Sequence, residues 1–161
     1  MILGMSIPLF TLVHVVLSLA GIFSGFVALL GMIRNRKEPL WTFIFFVTNI
    51  LTDVTGFMFP FKAITPGIII GALSLIVLVV AMIGYYIARL SGGWRGRYVI
   101  TMAVALYFNV FVLVVQSFEK IGVLKDIAPT QSSPVFGITQ LVVLGVMILL
   151  TFFAFRRFRP V

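Results

Sequence analysis

Long runs of apolar residues, separated by short polar stretches, dominate the hydrophobic pattern of the chain. A helix that spans a membrane needs about 20 mostly apolar residues, and five runs reach that length. We predict spanning helices over residues 7–33, 40–59, 67–90, 98–118 and 135–155. The pattern therefore predicts an all-α fold, an integral membrane bundle of five transmembrane helices that forms one domain over residues 1–161.

The polar stretches between the runs are short, with one exception. The first three turns are about six to eight residues long, so we expect the first four helices to pack as antiparallel neighbours. The fourth stretch, residues 119–134, carries apolar residues at helical spacing, namely Ile121, Leu124, Ile127 and Ala128. This spacing predicts a short helix on the membrane surface. The first run has no basic residue ahead of it and is too long for a signal peptide, so we expect a retained helix.

The composition supports the membrane assignment. Hydrophobic residues make up 61% of the 161 residues and charged residues only 10%, with a mean hydropathy of +1.22. Soluble domains carry about a quarter charged residues, and a soluble fold of this length could not bury so much apolar surface. The chain has no cysteine, which excludes disulfides, thiolate metal sites and iron–sulfur clusters.

The positive charge is concentrated in the polar stretches. The net charge is +8, and nine of the twelve Lys and Arg residues fall in three groups: Arg34, Arg36 and Lys37; Arg89, Arg95 and Arg97; Arg156, Arg157 and Arg159. The intervening loops hold only Lys62, Lys120 and Lys125, and the last two are balanced by Glu119 and Asp126. Because cytoplasmic loops carry the excess of basic residues, we predict an external N-terminus and a cytoplasmic C-terminus. The basic groups thus mark topology in a lipid bilayer and do not indicate a nucleic-acid partner.

Polar side chains inside the apolar runs are the candidate functional residues, because such groups are costly in hydrocarbon. Counted from the predicted outer ends, all five helices place a polar group in the outer half of the bundle. The candidate site comprises His14, Asn49, Thr52, Asp53, Ser74, Asn109, Gln116 and Gln140. We expect these groups to converge on an outward-facing pocket for a ligand or for protons. The alternative is that they only hydrogen-bond the helices together.

His14 and Asp53 form the predicted centre of this pocket. They are the two side chains within the runs that titrate most readily near neutral pH, and each lies about 10 Å below the outer boundary at a rise of about 1.5 Å per residue. Pairing would offset the cost of burying the two groups. Since the first two helices are neighbours, we predict direct contact between the two side chains.

Several chemistries are excluded or disfavoured. The single histidine cannot supply two axial imidazoles to a haem, although a haem with one protein ligand stays open. No group of residues has zinc-site spacing, and there is no glycine-rich phosphate loop. His14 and Ser18 share a helix face, but without a strained elbow or oxyanion donors they do not make a hydrolase triad with Asp53. We therefore assign no catalytic residue and no metal site.

Small residues recur at the spacing that lets helices approach closely in lipid. Gly21 and Gly25 form one such pair in the first helix, and Gly67 and Gly71 form another at the start of the third. The pairs indicate packing within the bundle or, for Gly21 and Gly25, a homo-oligomer interface.

Three segments carry a resemblance to a family of sequences: TDVTGFMFPF at residues 52–61, ALYFNVFVLVVQ at 105–116 and APTQSSP at 128–134. In these segments the chain resembles a group of small, uncharacterised bacterial inner-membrane proteins, and the likeness covers most of its length. The resemblance implies a multi-pass protein of the bacterial inner (plasma) membrane. It implies no activity, since none is assigned to that group.

These features favour a non-enzymatic membrane protein that binds a small hydrophobic or amphipathic ligand, or a partner subunit, through the polar pocket. One concrete version is an accessory subunit of a respiratory or photosynthetic complex. The first alternative is a small proton-coupled transporter that uses Asp53 and His14, although the inner half has few polar groups and the chain lacks the internal repeat of many transporters. The second alternative is a quinone- or haem-linked membrane enzyme. The sequence indicates no particular cofactor.

Overall fold

Helices account for most of the chain in the computed structural model, which describes residues 1–60 and 66–160. They are α1 (Ile7–Ile33), α2 (Pro39–Phe57), α3 (Pro66–Met82, continued by a π-helical turn over Ile83–Ile87), α4 (Trp94–Lys120), α5 (Gly122–Ile127) and α6 (Pro134–Arg157). All of them except α5 are long and apolar enough to cross a membrane. The predicted all-α bundle of five spanning helices is therefore confirmed, and the chain is a multi-pass membrane protein. The predicted turn that contains Lys62 lies outside the described residues.

Four of the five spanning helices begin at or beside a proline. Pro39, Pro66 and Pro134 are the first residues of α2, α3 and α6, and Pro8 is the second residue of α1. Proline suits a first helical turn because its φ is already helical and its missing N–H would have no partner there. Ser6 caps α1 by accepting a hydrogen bond at 3.4 Å from a main-chain amide one turn on. The prolines explain why the predicted starts of these helices agree closely with the observed ones.

The third helix ends earlier than predicted, because the chain reverses directly after it. After the π-helical turn Ile83–Ile87, Arg89 and Leu90 adopt left-handed φ values of 49° and 62°. The Leu90 amide donates back to the Gly84 carbonyl at 2.9 Å, which closes the turn. Gly84 also lets α4 approach, since a Cβ at this position would lie 3.2 Å from the Tyr98 Cβ.

The three basic groups of the sequence meet at one end of the bundle. Arg95, at the start of α4, donates from Nη1 to the Phe155 and Phe158 carbonyl oxygens at 2.8 and 2.7 Å, at the end of α6. The Arg159 amide donates to the side-chain oxygen of Asn35, just beyond α1, at 2.7 Å. We call this end of the bundle, with its nine clustered Lys and Arg residues, the basic end, and the other the opposite end.

Helix α4 lies at the centre of the bundle. It packs against α1, α3, α5 and α6, while α1 also packs against α2 and α6, and α2 packs against α3. The half of the bundle nearer the basic end has a mainly apolar core, with fully buried side chains that include Leu29, Phe45, Leu78, Met102 and Leu106 beside the hydroxyl of Thr42. Most of the polar side chains within the spans therefore belong to the other half.

The Gly21 and Gly25 pair lies inside the bundle, where both residues are buried. A Cβ at Gly25 would sit 2.7 Å from the side chains of Phe45 and Leu106. That glycine therefore makes room for α2 and α4 beside α1. The pair takes the first of its two predicted roles, packing within the bundle, and its surface is already covered within one chain.

The longest loop contains the predicted short helix, α5. Leu124 and Ala128 turn towards the bundle and pack with Phe118 of α4, whereas Ile121 and Ile127 are 51% and 55% exposed. An extended loop is therefore excluded. Helix α5 covers the opposite end of the bundle between α4 and α6, and its exposed residues combine the apolar Val123 and Ile127 with the charged Lys125 and Asp126. This mixture suits a helix at a membrane surface.

Candidate functional site

Two of the eight polar candidates, Asn49 and Asn109, meet in a buried hydrogen-bond network between α1, α2 and α4. Asn109 Nδ2 donates to Asn49 Oδ1 at 3.0 Å, and Ser18 Oγ donates to Asn109 Oδ1 at 2.7 Å. Asn49 Nδ2 donates in turn to the Phe45 carbonyl at 2.8 Å. Because both amides donate and accept within the network, its role is to join three helices.

His14 of α1 pairs with Thr55 of α2, with 2.8 Å between Nδ1 and Oγ1. The Thr55 hydroxyl donates its only proton to the Leu51 carbonyl at 2.6 Å, so it accepts the proton of His14. The network therefore assigns a proton to Nδ1 of the ring. Phe59 packs edge-on against the same ring, with the ring centroids 5.3 Å apart.

Asp53 faces α3 instead of α1. The Ser74 hydroxyl of α3 donates a hydrogen bond to its carboxylate, and a Cβ at Gly71 would lie 3.9 Å from Oδ1. The other carboxylate oxygen, Oδ2, is buried and has no hydrogen-bond partner among the described residues. Asp53 is therefore an incompletely satisfied carboxylate between two helices.

The predicted contact between His14 and Asp53 is wrong. An α-helix turns by about 100° per residue, so Thr55 and Asp53, two positions apart, project from α2 about 200° apart. His14 binds the side of α2 that carries Thr55, whereas Asp53 lies on the side that faces Ser74. Equal depth in the membrane placed the two groups at one level but did not make them face each other.

Of the remaining candidates, Thr52 bonds within its own helix and Gln140 bonds across to α4. Thr52 Oγ1 donates to the Thr48 carbonyl at 2.8 Å, and Gln140 Nε2 donates to the Phe111 carbonyl at 3.2 Å. Gln140 Oε1 is buried without a partner in the described part of the chain. Gln116 is half-buried on α4. The eight candidates, together with Ser18 and Thr55, thus form a set of separate contacts that we call the polar layer, and they do not converge on one centre.

A cavity of about 280 Å³ lies at the opposite end of the bundle, between the end of α4, α5 and the start of α6. Its apolar wall includes Val115, Phe118, Ala128 and Phe136. Its polar rim includes Glu119, Lys125, Thr130 and Gln131. None of the eight sequence candidates lines this cavity, which we call the α5 cavity.

The rim of the α5 cavity presents both signs of charge. Gln131 Nε2 donates to Glu119 Oε1 at 2.9 Å, which holds the carboxylate in place. Lys125, in the last turn of α5, has no acidic partner within ion-pair distance among residues 1–60 and 66–160. An apolar wall below a rim with an available cation is an arrangement that suits an amphipathic molecule.

Sequence reasoning did not identify the α5 cavity. The spacing of Leu124 and Ala128 predicted the helix, but the wall depends on Phe118 and Phe136, whose ring centroids lie 5.6 Å apart. The available signal was an aromatic residue at the predicted outer end of each of two helices. Apolar runs alone do not show that these two ends are neighbours.

Comparison with known proteins assigns neither a family nor a function to the chain. The resemblance to bacterial inner-membrane proteins stays a prediction from the three segments that carry it. No family model, no curated protein and no solved structure matches the chain.

Proposed function

We propose that this multi-pass membrane protein is a non-enzymatic binding protein for a small amphipathic molecule, which it takes up in the α5 cavity. The observation that carries the proposal is the cavity itself, where the rings of Phe118 and Phe136 lie below a rim with Glu119 and Lys125. The ligand class is the one that the sequence favoured. The proposed binding site is the α5 cavity at the end of the bundle, whereas the sequence predicted a site in the polar layer.

The size of the α5 cavity limits the ligand. Small-molecule sites in proteins measure about 300–1,000 Å³, so a cavity of about 280 Å³ holds a small amphiphile or one end of a longer one. The Lys125 ammonium favours a negatively charged head, and the Phe118 and Phe136 rings favour a hydrocarbon tail. A single-chain carboxylic acid meets both conditions.

The polar layer supports a structural role for the candidates that the sequence suggested. Ser18 donates to Asn109, and His14 bonds to Thr55, so the hydroxyl and the imidazole that share a face of α1 are engaged in separate contacts. Asp53 faces a different helix. These side chains therefore join helices, and a nucleophile–base pair is not among their contacts.

Photolabelling tests the proposal directly. The purified protein in lipid nanodiscs would be exposed to a fatty acid that carries a diazirine in its tail, irradiated and digested. We expect the label mainly on the segments that contain Phe118 and Phe136, and unlabelled fatty acid should compete for it. Ala128→Trp, which fills the cavity at a buried position, should lower the labelling of these segments about tenfold, a loss of about 1.4 kcal/mol.

Val142→Trp is the matched control, because Val142 is an exposed residue of α6 outside the α5 cavity. It should leave the labelling unchanged. Equal labelling of all lipid-facing segments, or equal labelling of Ala128→Trp and the wild type, would overturn the proposal. Co-purification of a stoichiometric partner over the same residues would favour the accessory-subunit hypothesis in its place.

The proposed setting is the bacterial inner membrane, with the basic end in the cytoplasm and the α5 cavity open to the outside. Support for the orientation comes from the clustering of positive charge at one end, since cytoplasmic loops carry the excess of Lys and Arg. Support for the membrane comes from the resemblance of residues 52–61, 105–116 and 128–134 to bacterial inner-membrane proteins.

A second candidate function is proton-coupled transport, which one observation favours. Asp53 buries a carboxylate oxygen without a hydrogen-bond donor among the described residues, and intramembrane carboxylates of this kind occur in proton relays. The core near the basic end is mainly apolar, with Phe45 and Met102, and its described buried polar groups are hydroxyls such as that of Thr42, with no carboxylate or imidazole to continue a proton path. This is why transport ranks second.

Proteoliposomes that contain a pH-sensitive dye separate the two functions. A transporter would acidify the lumen in an imposed proton gradient, and Asp53→Asn would abolish the signal. Asp126→Asn, at an exposed acidic residue of α5, would leave it intact. Under the binding proposal, the wild type and both variants should give the same low proton flux.

A further inference from the structure

A second cavity, an apolar groove, runs along the lipid-facing side of α4 and α6. The groove has a volume of about 370 Å³ and is lined by residues that include Ile100, Ala103, Tyr107, Ile148, Phe152 and Phe155. Ala103 is almost fully buried, whereas Ile148 and Phe152 are 59% and 54% exposed. Ala103 forms the floor of the groove, and Ile148 and Phe152 form its walls. The groove is therefore open to lipid along its length.

The length of the groove matches one leaflet of a bilayer. Along α6 it extends from Leu144 to Phe155, which is about 16 Å at a rise of about 1.5 Å per residue. The hydrocarbon core of a bilayer is about 30 Å thick. The groove therefore covers the leaflet nearer the basic end and stops near the middle of the membrane, as the acyl chain of a lipid does.

Two arginine side chains lie beside the mouth of the groove at the basic end. Arg156 lies over the ring of Phe152, with 5.7 Å between Cζ and the ring centroid, and this ring lines the groove. Arg97 is one helical turn before Ile100, the first groove residue of α4, and lies 4.8 Å from the Trp94 ring centroid. Cation–π contacts hold a guanidinium in place while leaving its N–H donors available.

The charge at the mouth of the groove is not neutralised by the protein. Arg97 and Arg156 have no ion-pair partner in the part of the chain that the structure describes, and no acidic residue lines the groove. Arg95 differs from both, because its guanidinium is used by the carbonyls of Phe155 and Phe158. The guanidinium groups of Arg97 and Arg156 therefore face the headgroup region at the mouth of the apolar groove.

We propose that the groove is a binding site for an anionic phospholipid, with one acyl chain along α4 and α6 and the phosphate between Arg97 and Arg156. Arginine suits phosphate because its planar fork donates two parallel hydrogen bonds. Basic sites between transmembrane helices bind acidic headgroups in this way. A zwitterionic lipid would bring a cation to a mouth that already carries uncompensated positive charge. This site is separate from the α5 cavity, so either site can fail its test without the other.

Native mass spectrometry of the purified protein tests the proposal with two probes of identical acyl chains, phosphatidylglycerol and phosphatidylcholine. From the attraction of two arginines for an anionic lipid, we expect phosphatidylglycerol to bind about 30-fold more tightly. The double variant Arg97→Gln, Arg156→Gln should bring this preference close to one. The matched control Arg34→Gln, Arg36→Gln removes the same charge from the basic end, away from the groove, and should retain the preference.

Filling the groove tests the acyl-chain part of the site. Ala103→Phe should weaken binding of both lipids, whereas Ala72→Phe, at an exposed position of α3, should not. Equal losses in the two arginine double variants would show a general effect of charge and would overturn the proposal. Equal binding of glycerol phosphate without acyl chains, or a dimer that only Ala103→Phe dissociates, would overturn it as well.

Discussion

Gly21 of α1 lies so close to Asn49 of α2 that a Cβ at position 21 would sit 2.8 Å from the Asn49 Nδ2. Asn49 cannot withdraw easily, because its amide bonds both to the Phe45 carbonyl and to Asn109. The hydrogen-bond network and the glycine therefore depend on each other.

The first prediction is that Gly21→Ala lowers the free energy of unfolding by about 1–3 kcal/mol, the usual cost of overpacking a filled interior. Gly145→Ala is the control, because a Cβ at Gly145 has no neighbour within 4 Å in the described structure. The control should be neutral or stabilising, since alanine favours a helix over glycine by about 1 kcal/mol. Unfolding titrations of both purified variants measure the difference, and equal stabilities would contradict the close approach.

The second prediction concerns Arg95, which donates to two carbonyl oxygens at the end of α6. Hydrogen bonds to a charged group contribute about 1.5–3 kcal/mol, so Arg95→Gln should lower the free energy of unfolding by about that amount. Arg36→Gln removes an exposed charge from the same end and should change stability by less than about 0.5 kcal/mol. Similar thermal midpoints for the two variants would show that the bonds of Arg95 contribute little.

The third prediction concerns Asp53 and Ser74. Burial of a carboxylate oxygen without a donor is costly, so Asp53→Asn, which keeps the shape but removes the charge, should be at least as stable as the wild type. Ser74→Ala removes the hydroxyl that donates to the carboxylate and should destabilise the wild type more than it destabilises Asp53→Asn. A double-mutant cycle of unfolding free energies measures the coupling. A large loss of stability in Asp53→Asn alone would contradict this account.

The fourth prediction follows from the distribution of charge between the two ends. A green fluorescent protein fused after Val161 should fluoresce, because the basic end is expected in the cytoplasm. An alkaline phosphatase reporter inserted at Gln131, on the rim of the α5 cavity, should be active, because the opposite end is expected outside. The reverse pattern would invert the orientation, and two reporters on the same side would contradict five crossings.

The fold was predictable because lipid makes long apolar runs necessary and proline marks where helices start. The rotation of each helix about its axis was not predictable. For this reason the predicted contact between His14 and Asp53 was wrong. Asp53 and Thr55 stand at nearly the same depth of α2, and a polar residue at that level was expected opposite His14. Only packing against α3 shows that Asp53 turns to Ser74 and leaves Thr55 for His14.

The site was less predictable than the fold, for a related reason. Polar residues within an apolar run are easily recognised, and side chains such as Asn109 and Gln140 were therefore chosen as site candidates. The α5 cavity instead depends on which helix ends are neighbours, so that Phe118 of α4 meets Phe136 of α6. Such tertiary proximity is not encoded in the local pattern around either phenylalanine.

The hydrogen bonds that Arg95 and Asn35 make at and beyond the end of α6 also have a consequence for the order of assembly. Arg95 precedes Phe155 by 60 positions, and Asn35 precedes Arg159 by 124. During synthesis Arg95 and Asn35 therefore leave the ribosome long before the residues to which they bond. A chain interrupted ahead of Phe155 would hold a guanidinium without its two carbonyls at the start of the central helix.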